Sequence, residues 1–325
     1  MTADHALIPP GPDVSIVFTN WNTRDLMKEC ILSVKEKSSG FTYEIIVVDD
    51  GSTDGSVEML TQEFPDIRLV VNERNLGVSR SYNRGVAEAS GSYVQMLNTD
   101  MKFIHNAIKV MLDFLEHHPE AAACAGKLRN IDMSPQISYG NFPSMTEALV
   151  GALFLTQVFP RARLPRRGIL PQERDREPIE TEYLCGADML VRKSVIDTIG
   201  FFDERYTSYC EETDFCYRVL HETPLKLFYV PDAEIVHFGG MAFKDLREFQ
   251  IQLIYSSYDK FLRKHHGALY SIITRWLYAF QYGLKTVVRF LGFLFHRRTA
   301  ERRSLLEATW HVRYALFPCD PPKRT

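Results

Sequence analysis

Acidic residues follow two apolar runs of the chain, at positions where a carboxylate could bind a ligand or a metal ion. The run Ile45–Val48 leads directly into Asp49 and Asp50, and the sequence MLNT leads to Asp100. A hard divalent cation prefers carboxylate oxygens, and such a cation commonly accompanies a diphosphate. Aspartates in such places also begin turns or cap helices, so both interpretations stay open.

Three more carboxylates, Glu211, Glu212 and Asp214, stand at the start of a segment with helical spacing of its apolar residues. The positive end of a helix stabilises acids there, so helix capping is the simplest explanation. A carboxylate in a cleft can also remove the proton of a hydroxyl nucleophile, which makes this cluster a candidate general base.

One histidine, His237, ends a short apolar strand pattern and precedes Phe238 and two glycines. Small residues after a histidine leave room for a metal ion, although an isolated histidine is more often structural. His237 is therefore a candidate metal ligand that needs support from its neighbours in space.

Strand and helix patterns alternate along the chain and must position these side chains. Predicted strands are Val14–Thr19, Glu44–Asp50, Ile67–Val71, Ser92–Leu97, Tyr183–Val191, Leu225–Val230 and Glu234–His237, and predicted helices include Arg24–Lys37 and Gly77–Ala89. Such alternation predicts an α/β protein with a mostly parallel central sheet, whose strands end at one ligand-binding crevice. Neither GxGxxG after the first strand nor GxxxxGK[ST] occurs, so a dinucleotide fold and a P-loop are not supported.

Composition sets broad limits on the class of protein. The chain has 325 residues, of which 45% are hydrophobic, and its formal net charge is −3. This is enough to bury a large core. The six cysteines form no CxxC pair, which favours reduced thiols in the cytoplasm, and the first residues lack the apolar core of a secretory signal.

The segment Pro160–Glu180 is rich in proline and charge and predicts a long loop. Its arginines, which could meet an anionic substrate, are Arg161, Arg163, Arg166 and Arg167. The strand pattern that follows contains Gly186 and Ala187, where the missing side-chain bulk would let a ligand approach the backbone.

These segments together resemble family 2 glycosyltransferases. The matching motifs occur in the family's order and read VSIVFTNWN, VVDDGSTDGS, NLGVSRSYNRG, LNTD, GADMLV, GFFDERYTSYCEETDFCYR and HFGG. The resemblance covers roughly Val14 to Gly240, and the LNTD form is most similar to the branch that contains rhamnosyltransferases and galactofuranosyltransferases.

The resemblance implies a GT-A (nucleotide-diphospho-sugar transferase) fold and inverting transfer of a sugar, possibly rhamnose, from a dTDP- or UDP-sugar. The acceptor would be a hydroxyl of a glycan or lipid-linked molecule in cell-surface polysaccharide synthesis, and no nucleic-acid partner is expected. By the family's pattern the donor would contact Thr19, Trp21, Asp50, Arg80, Asn98, Gly186 and Ala187. Asp100 and His237 would hold Mg²⁺ or Mn²⁺, and Glu212 would be the general base.

Two departures from the family pattern leave points open. The family usually has Glu-Asp where this chain has Glu211-Glu212, so Glu211 and Asp214 remain alternatives for the base. Asn98 replaces the first acid of a DxD motif, which leaves Asp100 as the acid ligand at that position.

The predicted organisation is a tail at residues 1–13, a catalytic domain at 14–242 and a helical region at 243–325.

Leu269–Phe295 is apolar but interrupted by charge, and its polar residues Ser271, Arg275, Tyr282, Lys285 and Arg289 fall near one helical face. We expect an amphipathic helix lying on an anionic membrane, with the basic sequence HRRTAERR after it, rather than a span. The alternative is a helix pair packed on the catalytic domain. A peripheral position at the cytoplasmic face of the membrane is expected.

Two other functions fit parts of the pattern. A sugar nucleotidyltransferase also uses a parallel sheet and a bound cation, but the sequence Thr19-Asn20-Trp21-Asn22 offers no glycine-rich basic loop. A non-catalytic protein that binds nucleotide sugars or acts as a scaffold would not need Asp100, Glu212 and His237.

Overall fold

The structure is a computed structural model that describes residues 11–159, 164–172, 175–239, 247–296 and 299–321. The strands are β1 (Val14–Asn20), β2 (Tyr43–Asp49), β3 (Arg68–Val71), β4 (Tyr93–Leu97), β5 (Met101–Phe103), β6 (Ala121–Arg129), β7 (Tyr139–Gly140), β8 (Ile179–Thr181), β9 (Tyr183–Leu184), β10 (Asp188–Arg192) and β11 (Lys226–His237).

The helices lie between these strands and after the last of them. They are α1 (Arg24–Lys37), α2 (Ser56–Glu63), α3 (Val78–Ala87), α4 (Ala107–His117), α5 (Met145–Ala152), α6 (Leu155–Val158), α7 (Lys193–Ile199), α8 (Glu211–Glu222), α9 (Arg247–His266), α10 (Ala268–His296) and α11 (Thr299–Leu316).

One sheet of nine strands forms the centre of the protein, in the order β3-β2-β1-β4-β10-β6-β11-β5, with β8 also paired to β11. Strands β1 to β4 are parallel, as the alternating pattern predicts, whereas β10 is antiparallel to both β4 and β6. The sheet is therefore mixed, with its parallel half at the amino-terminal end of the chain. Apolar clusters cover both faces, as expected for strands that are apolar on both sides.

Two predicted strands have different limits in the structure. The predicted strand Tyr183–Val191 is divided into β9 and β10, and the residues between them, including Gly186, leave the strand. The predicted strands Leu225–Val230 and Glu234–His237 are one strand, β11, with an irregular register between Val230 and Glu234. The break before β10 turns Gly186 toward α8, as described below.

Helix α3 packs directly against the parallel strands at Gly85. A Cβ atom at Gly85 would lie 2.5 Å from Cγ1 of Val17 on β1 and 3.0 Å from Cγ2 of Val48 on β2. A larger residue would push the helix away from the sheet. Since α3 begins directly after the loop at the strand ends, its position sets the position of that loop.

The carboxyl-terminal helices pack on the sheet domain. Phe261 and Leu262 of α9 are fully buried in the apolar cluster on the α8 side of the sheet. Tyr255 of α9, Tyr278 of α10 and Tyr314 of α11 form a further cluster with Ala148 of α5. In the parts of the chain that the structure describes, no helix combines the length and the apolar character needed to cross a membrane.

Candidate active site

The carboxyl ends of the parallel strands bring the candidate donor-binding residues to one edge of the sheet. In the ladder Thr19 pairs with Val48, and Phe18 pairs with Leu97. Thr19 and Trp21 are half-buried at the end of β1. The neighbouring ends of β2 and β4 continue into Asp50 and Asn98, so the sequence prediction of a shared edge agrees with the structure.

Both acids at the end of β2 are engaged in hydrogen bonds within the protein. Asp49 accepts hydrogen bonds from Nδ2 of Asn20, at 2.7 Å, and from the N–H of Ser52, at 2.9 Å. Asp50 accepts from the N–H groups of Leu76, at 2.8 Å, and Gly77, at 3.1 Å. Through these two bonds Asp50 fixes the loop before α3. Its side chain is only 4% exposed, and it is also a candidate donor contact.

Arg80 is exposed on α3 and forms an ion pair with Glu204. Its side chain is 54% exposed on α3, and its Nε is 3.2 Å from Oε2 of Glu204. Contact with a donor would need this exposed ion pair to open. An exposed ion pair contributes little to stability, so opening it costs little free energy.

Asp100 and His237 face each other, as proposed for two ligands of one cation. Nε2 of His237 is 3.2 Å from Oδ1 of Asp100, and each side chain is only 12% exposed. Strands β5 and β11 are antiparallel neighbours in which His237 pairs with Met101, and the N–H of Phe238 donates to the carbonyl oxygen of Asp100 at 2.9 Å. The backbone thus holds both side chains at one place.

Gln136 orients the imidazole ring of His237. Oε1 of Gln136 is 2.5 Å from Nδ1 of His237. Nε2 of the same amide donates to Oδ1 of Asn130, at 2.8 Å, and to the carbonyl oxygen of His237, at 3.2 Å. These two bonds fix which end of the amide faces the ring, so Nδ1 carries the proton and Nε2 faces Asp100. Metal-binding histidines commonly have this arrangement.

The residues present therefore fit a hard divalent cation that completes its coordination with other oxygens. In the described parts of the chain, no group of three or more His, Cys, Asp or Glu side chains could hold a metal ion. Mg²⁺ commonly binds one or two protein ligands together with substrate phosphates and water. Asp100 and His237 match that use and do not form a closed structural metal site.

The Gly186-Ala187 segment connects the end of β4 with the acid cluster. The N–H of Asn98 donates to the carbonyl oxygen of Ala187 at 3.0 Å. A Cβ atom at Gly186 would lie 3.0 Å from Cγ of Glu212 and 3.3 Å from Cε of Met96. The absence of a side chain at Gly186 therefore makes room for Glu212.

Glu211 and Glu212 begin α8 as neighbouring buried acids, 8% and 7% exposed. Burial, and then the nearby charge of Glu212, raise the pKa of Glu211 well above its usual range. Oε2 of Glu211 is buried and has no hydrogen-bond partner. Oε1 of Glu212 accepts from the hydroxyl of Thr213 at 3.2 Å and lies 3.9 Å from Nη2 of Arg167. Glu212 thus has a hydroxyl donor and a nearby cation, whereas Oε2 of Glu211 has neither.

Asp214, the other candidate base, faces helix α9. Its fully buried carboxylate accepts hydrogen bonds from Lys264 at 2.7 and 2.9 Å, His265 at 2.8 Å and Arg218 at 2.9 Å. Burial alone would raise the pKa of Asp214, but the hydrogen bonds from these three residues outweigh it and lower the pKa. The arrangement is that of an internal ion-pair centre that joins α8 to α9.

The turn before α8 has a strained backbone. Tyr209 and Cys210 have φ angles of 64° and 66°, in the left-handed region that residues other than glycine rarely adopt. Nε2 of Gln250 donates to the hydroxyl of Tyr209 at 2.6 Å, and the hydroxyl of Ser257 donates to the carbonyl oxygen of Ser208 at 2.9 Å. Both bonds come from α9, so this helix holds the turn that delivers Glu211 and Glu212.

The loop arginines have varied positions. Arg161 and Arg163 lie outside the described residues, and the backbone N–H of Arg166 donates to Oδ1 of Asn141 at 3.1 Å. The guanidinium group of Arg167 lies 3.9 Å from the ring centre of Tyr183 and donates to Thr213 at 2.6 Å. Arg167 therefore reaches the acid cluster. The sequence pattern gave no indication of this contact, nor of the role of Gln136.

Comparison with known proteins identifies the family. Residues 15–200 match the profile of Glycosyl transferase family 2, and the chain belongs to this family. It is 32% identical over 206 residues to N-acetylglucosaminyl-diphospho-decaprenol L-rhamnosyltransferase of Mycobacterium tuberculosis. That match covers 59% of this chain and 66% of the relative. A putative teichuronic acid biosynthesis glycosyltransferase, TuaG of Bacillus subtilis, is 35% identical over 107 residues, which cover 32% of this chain and 42% of TuaG.

Solved structures support the GT-A fold. The mannosyltransferase PcManGT from Pyrobaculum calidifontis, in complex with GDP-Man and Mn²⁺, has a TM-score of 0.58 at 14% identity and covers 94% of this chain and 88% of its own. GalNAc-T7, with UDP, GalNAc and Mn²⁺, has a TM-score of 0.60 at 13% identity and covers 78% of this chain and 48% of its own. At these identities the likeness is one of fold, which agrees with the predicted GT-A architecture.

Proposed function

We propose that this protein is an inverting glycosyltransferase that moves a sugar from a nucleoside-diphosphate donor to an acceptor hydroxyl. One observation carries the proposal: the proposed metal ligands and the acid cluster both lie next to the carboxyl end of β4. Asp100 is two residues past Asn98, which is bonded to Ala187, and Glu212 packs on the adjacent Gly186. A diphosphate group and an acceptor hydroxyl can then approach the same sugar.

Each group of residues has a separate part in this reaction. Thr19, Trp21, Asp50, Arg80, Asn98, Gly186 and Ala187 are the proposed donor contacts, at or near the carboxyl ends of the strands. Glu212 takes the proton of the acceptor hydroxyl as the oxygen attacks the anomeric carbon. The bond from that carbon to the diphosphate breaks in the same displacement, which inverts the configuration.

Asp100 and His237 would hold Mg²⁺ or Mn²⁺, with Gln136 keeping Nε2 of His237 toward the ion. When bound, the cation would neutralise charge on the departing diphosphate. Solved proteins of the same fold were bound to Mn²⁺. The two-ligand site suits an ion that shares its coordination with the donor's phosphates.

A deoxyhexose donor and a lipid-linked acceptor are the proposed substrates. The support is the relative named as an L-rhamnosyltransferase that acts on N-acetylglucosaminyl-diphospho-decaprenol. We therefore propose a dTDP- or UDP-sugar, with dTDP-rhamnose first among them, and an acceptor glycan carried on a lipid diphosphate.

A membrane surface is the proposed location, because α10 presents its apolar side outward. Exposed large apolar residues recur every three or four positions along it: Leu269, Ile272, Ile273, Trp276, Phe280, Leu284, Val287, Val288, Phe290 and Leu291. No charged residue belongs to this stripe. An apolar helix face of this kind is suited to lie in the interface of a bilayer.

The polar side of α10 faces the protein. Ser271 and Arg275 donate to Oδ1 of Asp259 on α9 at 2.6 and 2.7 Å, and Arg289 donates to the carbonyl oxygen of Ser304 at 2.9 Å. Packing on the domain and contact with a membrane are therefore compatible, because the helix packs through its polar side and leaves its apolar side exposed. With the basic sequence after α10, this supports a peripheral position at the cytoplasmic face of an anionic membrane.

The enzyme proposal is tested by incubating the protein with a panel of nucleotide sugars, Mn²⁺ and a lipid-diphosphate-linked N-acetylglucosamine acceptor, and detecting product by mass spectrometry. Transfer of one sugar with release of a nucleoside diphosphate supports the proposal. Formation of a nucleotide sugar from a sugar phosphate would instead indicate a nucleotidyltransferase. Donor binding without turnover with any acceptor or water would indicate a binding protein.

A further inference from the structure

Arg167 is a largely buried cation beside the acid cluster at the start of α8. Its guanidinium group lies 3.9 Å from the ring centre of Tyr183 and 5.7 Å from that of Tyr258 on α9, and its side chain is 20% exposed. Arginine keeps its proton in proteins. A positive charge removed from water in this way needs an anion nearby to offset the lost hydration.

The nearest anion given by the geometry is Glu212. Nη2 of Arg167 lies 3.9 Å from Oε1 of Glu212, and it donates to Oγ1 of Thr213 at 2.6 Å. The same hydroxyl group donates to Oε1 of Glu212 at 3.2 Å. Thr213 therefore bridges the cation and the carboxylate, and it fixes one oxygen of Glu212.

The adjacent acid has no such support. Oε2 of Glu211 is buried without a hydrogen-bond partner, whereas Glu212 has both a charged neighbour and a hydroxyl donor. The two neighbouring carboxyl groups are therefore unequal. A negative charge on Glu212 would be stabilised by these two contacts, which Oε2 of Glu211 lacks.

We propose that Arg167 is a positioning residue that keeps the carboxylate of Glu212 ionised and oriented for proton removal. This inference rests on the proposed role of Glu212 as the base. The loop at residues 164–172 would then help to position the base, instead of binding an anionic substrate. Through Tyr258, helix α9 also becomes part of the surroundings of the base.

Other titratable groups surround the pair from each element packed on it. Those that interact electrostatically with Glu212 or Arg167 include Tyr209 and Cys210 in the turn before α8, Glu211 and Cys216 of α8, Tyr183 of β9, Cys185 directly after β9, Tyr258 of α9 and Glu147 of α5. Arg167 is the cation of this set. Removing its charge should therefore change the ionisation of Glu212 more than any neutral substitution around it.

The test is a carboxyl titration by NMR of protein labelled with ¹³C at the side-chain carboxyl of glutamate. Glu212→Gln identifies the Glu212 signal, and the titration is then repeated in Arg167→Met, Arg167→Lys and the exposed control Arg68→Met. We expect the titration midpoint of Glu212 to rise by about 1 pH unit or more in Arg167→Met. It should stay close to wild type in Arg167→Lys, which keeps the charge, and in Arg68→Met.

An unchanged midpoint in Arg167→Met overturns the inference, as does an equal rise in Arg68→Met. If Arg167→Met does not fold, Thr213→Val removes the bridging hydroxyl alone, and a midpoint that stays at the wild-type value in that variant overturns it as well. The proposed function is tested separately, since wild-type turnover by Glu212→Gln would remove Glu212 as the base whatever the titration shows.

Discussion

Nε2 of His237, at the end of β11, lies 3.2 Å from Oδ1 of Asp100, which directly precedes β5 and is far away in the chain. The pairing of β5 with β11 brings their ends together, and Gln136 turns the imidazole ring so that Nε2 faces the carboxylate. A cation bound by both atoms, or a proton shared between them, would stabilise this arrangement. The proposed metal site takes the first of these, and a direct measurement of metal binding distinguishes them.

Asp100→Ala and His237→Ala should each weaken Mn²⁺ binding by at least tenfold, because each removes one of two protein ligands. Free Mn²⁺ measured by electron paramagnetic resonance gives the affinity without the need for turnover. Gln136→Leu should weaken the affinity about 10- to 100-fold, since it frees the imidazole ring to rotate. His117→Ala, at an exposed histidine on α4, is the control. Unchanged Mn²⁺ affinity in a variant would remove that residue from the site.

Glu212→Gln should reduce the rate of sugar transfer by about 10²- to 10⁴-fold, while the KM for the donor changes little. The substitution keeps the size of the side chain and removes the proton acceptor. Glu211→Gln should have a smaller effect, since Glu211 lacks the contacts with Thr213 and Arg167. Wild-type turnover by Glu212→Gln, together with an inactive Glu211→Gln, would assign the base to Glu211.

Asp214→Asn should act mainly on stability. It leaves the two cations Lys264 and Arg218 beside a neutral amide, which should lower the free energy of unfolding by on the order of 3 kcal/mol. Urea unfolding measures this loss, and activity per folded molecule should fall much less than in Glu212→Gln. A fully stable but inactive Asp214→Asn protein would instead show a catalytic role.

Asp188 should make stability depend on pH. It is buried in the centre of the sheet, where it accepts hydrogen bonds from Nε2 of Gln95 at 2.6 Å and the N–H of Gly126 at 3.0 Å. Burial, partly offset by these bonds, raises the pKa of Asp188 to about 7. The native state thus favours the protonated form, and this contribution is complete below about pH 4 and is lost as the pH rises through 7.

Asp188→Asn should remove that dependence. Relative to the variant, the wild-type protein should lose roughly 4 kcal/mol of unfolding free energy between pH 4 and pH 8. The amide can donate to Oε1 of Gln95, which is buried and without a partner, if the Gln95 amide rotates. Urea unfolding at several pH values measures the difference, with Asp25→Asn as an exposed control. Parallel curves for wild type and Asp188→Asn would contradict the prediction.

The outward side of α10 should bind lipid. The double substitution Trp276→Ser and Phe280→Ser removes two large side chains, 61% and 57% exposed, and should reduce binding to vesicles with anionic lipid at least tenfold. Leu32→Ser, at an apolar position on α1 that is 49% exposed, is the control. Co-sedimentation measures binding. Undiminished sedimentation, or a change from dimer to monomer without any effect on vesicles, would instead assign the face to a second copy of the chain.

The sequence was informative where a strand ends in a chemically distinctive residue. Asp50 and His237 lie at the ends of apolar strand patterns, and Asp100 lies just past one, after Asn98 and Thr99. The regular geometry of a sheet brings these positions to one edge. The acids of α8 were harder to separate because they share one short segment. Glu212 and Asp214 are two positions apart, so they point to nearly opposite sides of a helix, but the sequence does not tell which side meets the cleft.

Arg167 and Gln136 lie in segments without periodicity, so their partners could not be predicted. The charge of the loop suggested an anionic substrate for Arg167, while tertiary contacts place its guanidinium between Tyr183 and Thr213. The division between residues 242 and 243 remains a prediction. Helix α9, on the far side of it, nevertheless contributes Lys264 and His265 to the partners of Asp214.

The left-handed backbone at Tyr209 and Cys210 has a practical consequence for making shortened or hybrid forms of this protein. Such a conformation persists only where its surroundings impose it, and two of the bonds that do so come from Gln250 and Ser257. A hybrid cut at residue 242 would keep every catalytic motif and lose those two bonds. The useful junction therefore lies after His266, where Gly267 has a φ of 88° and separates α9 from α10.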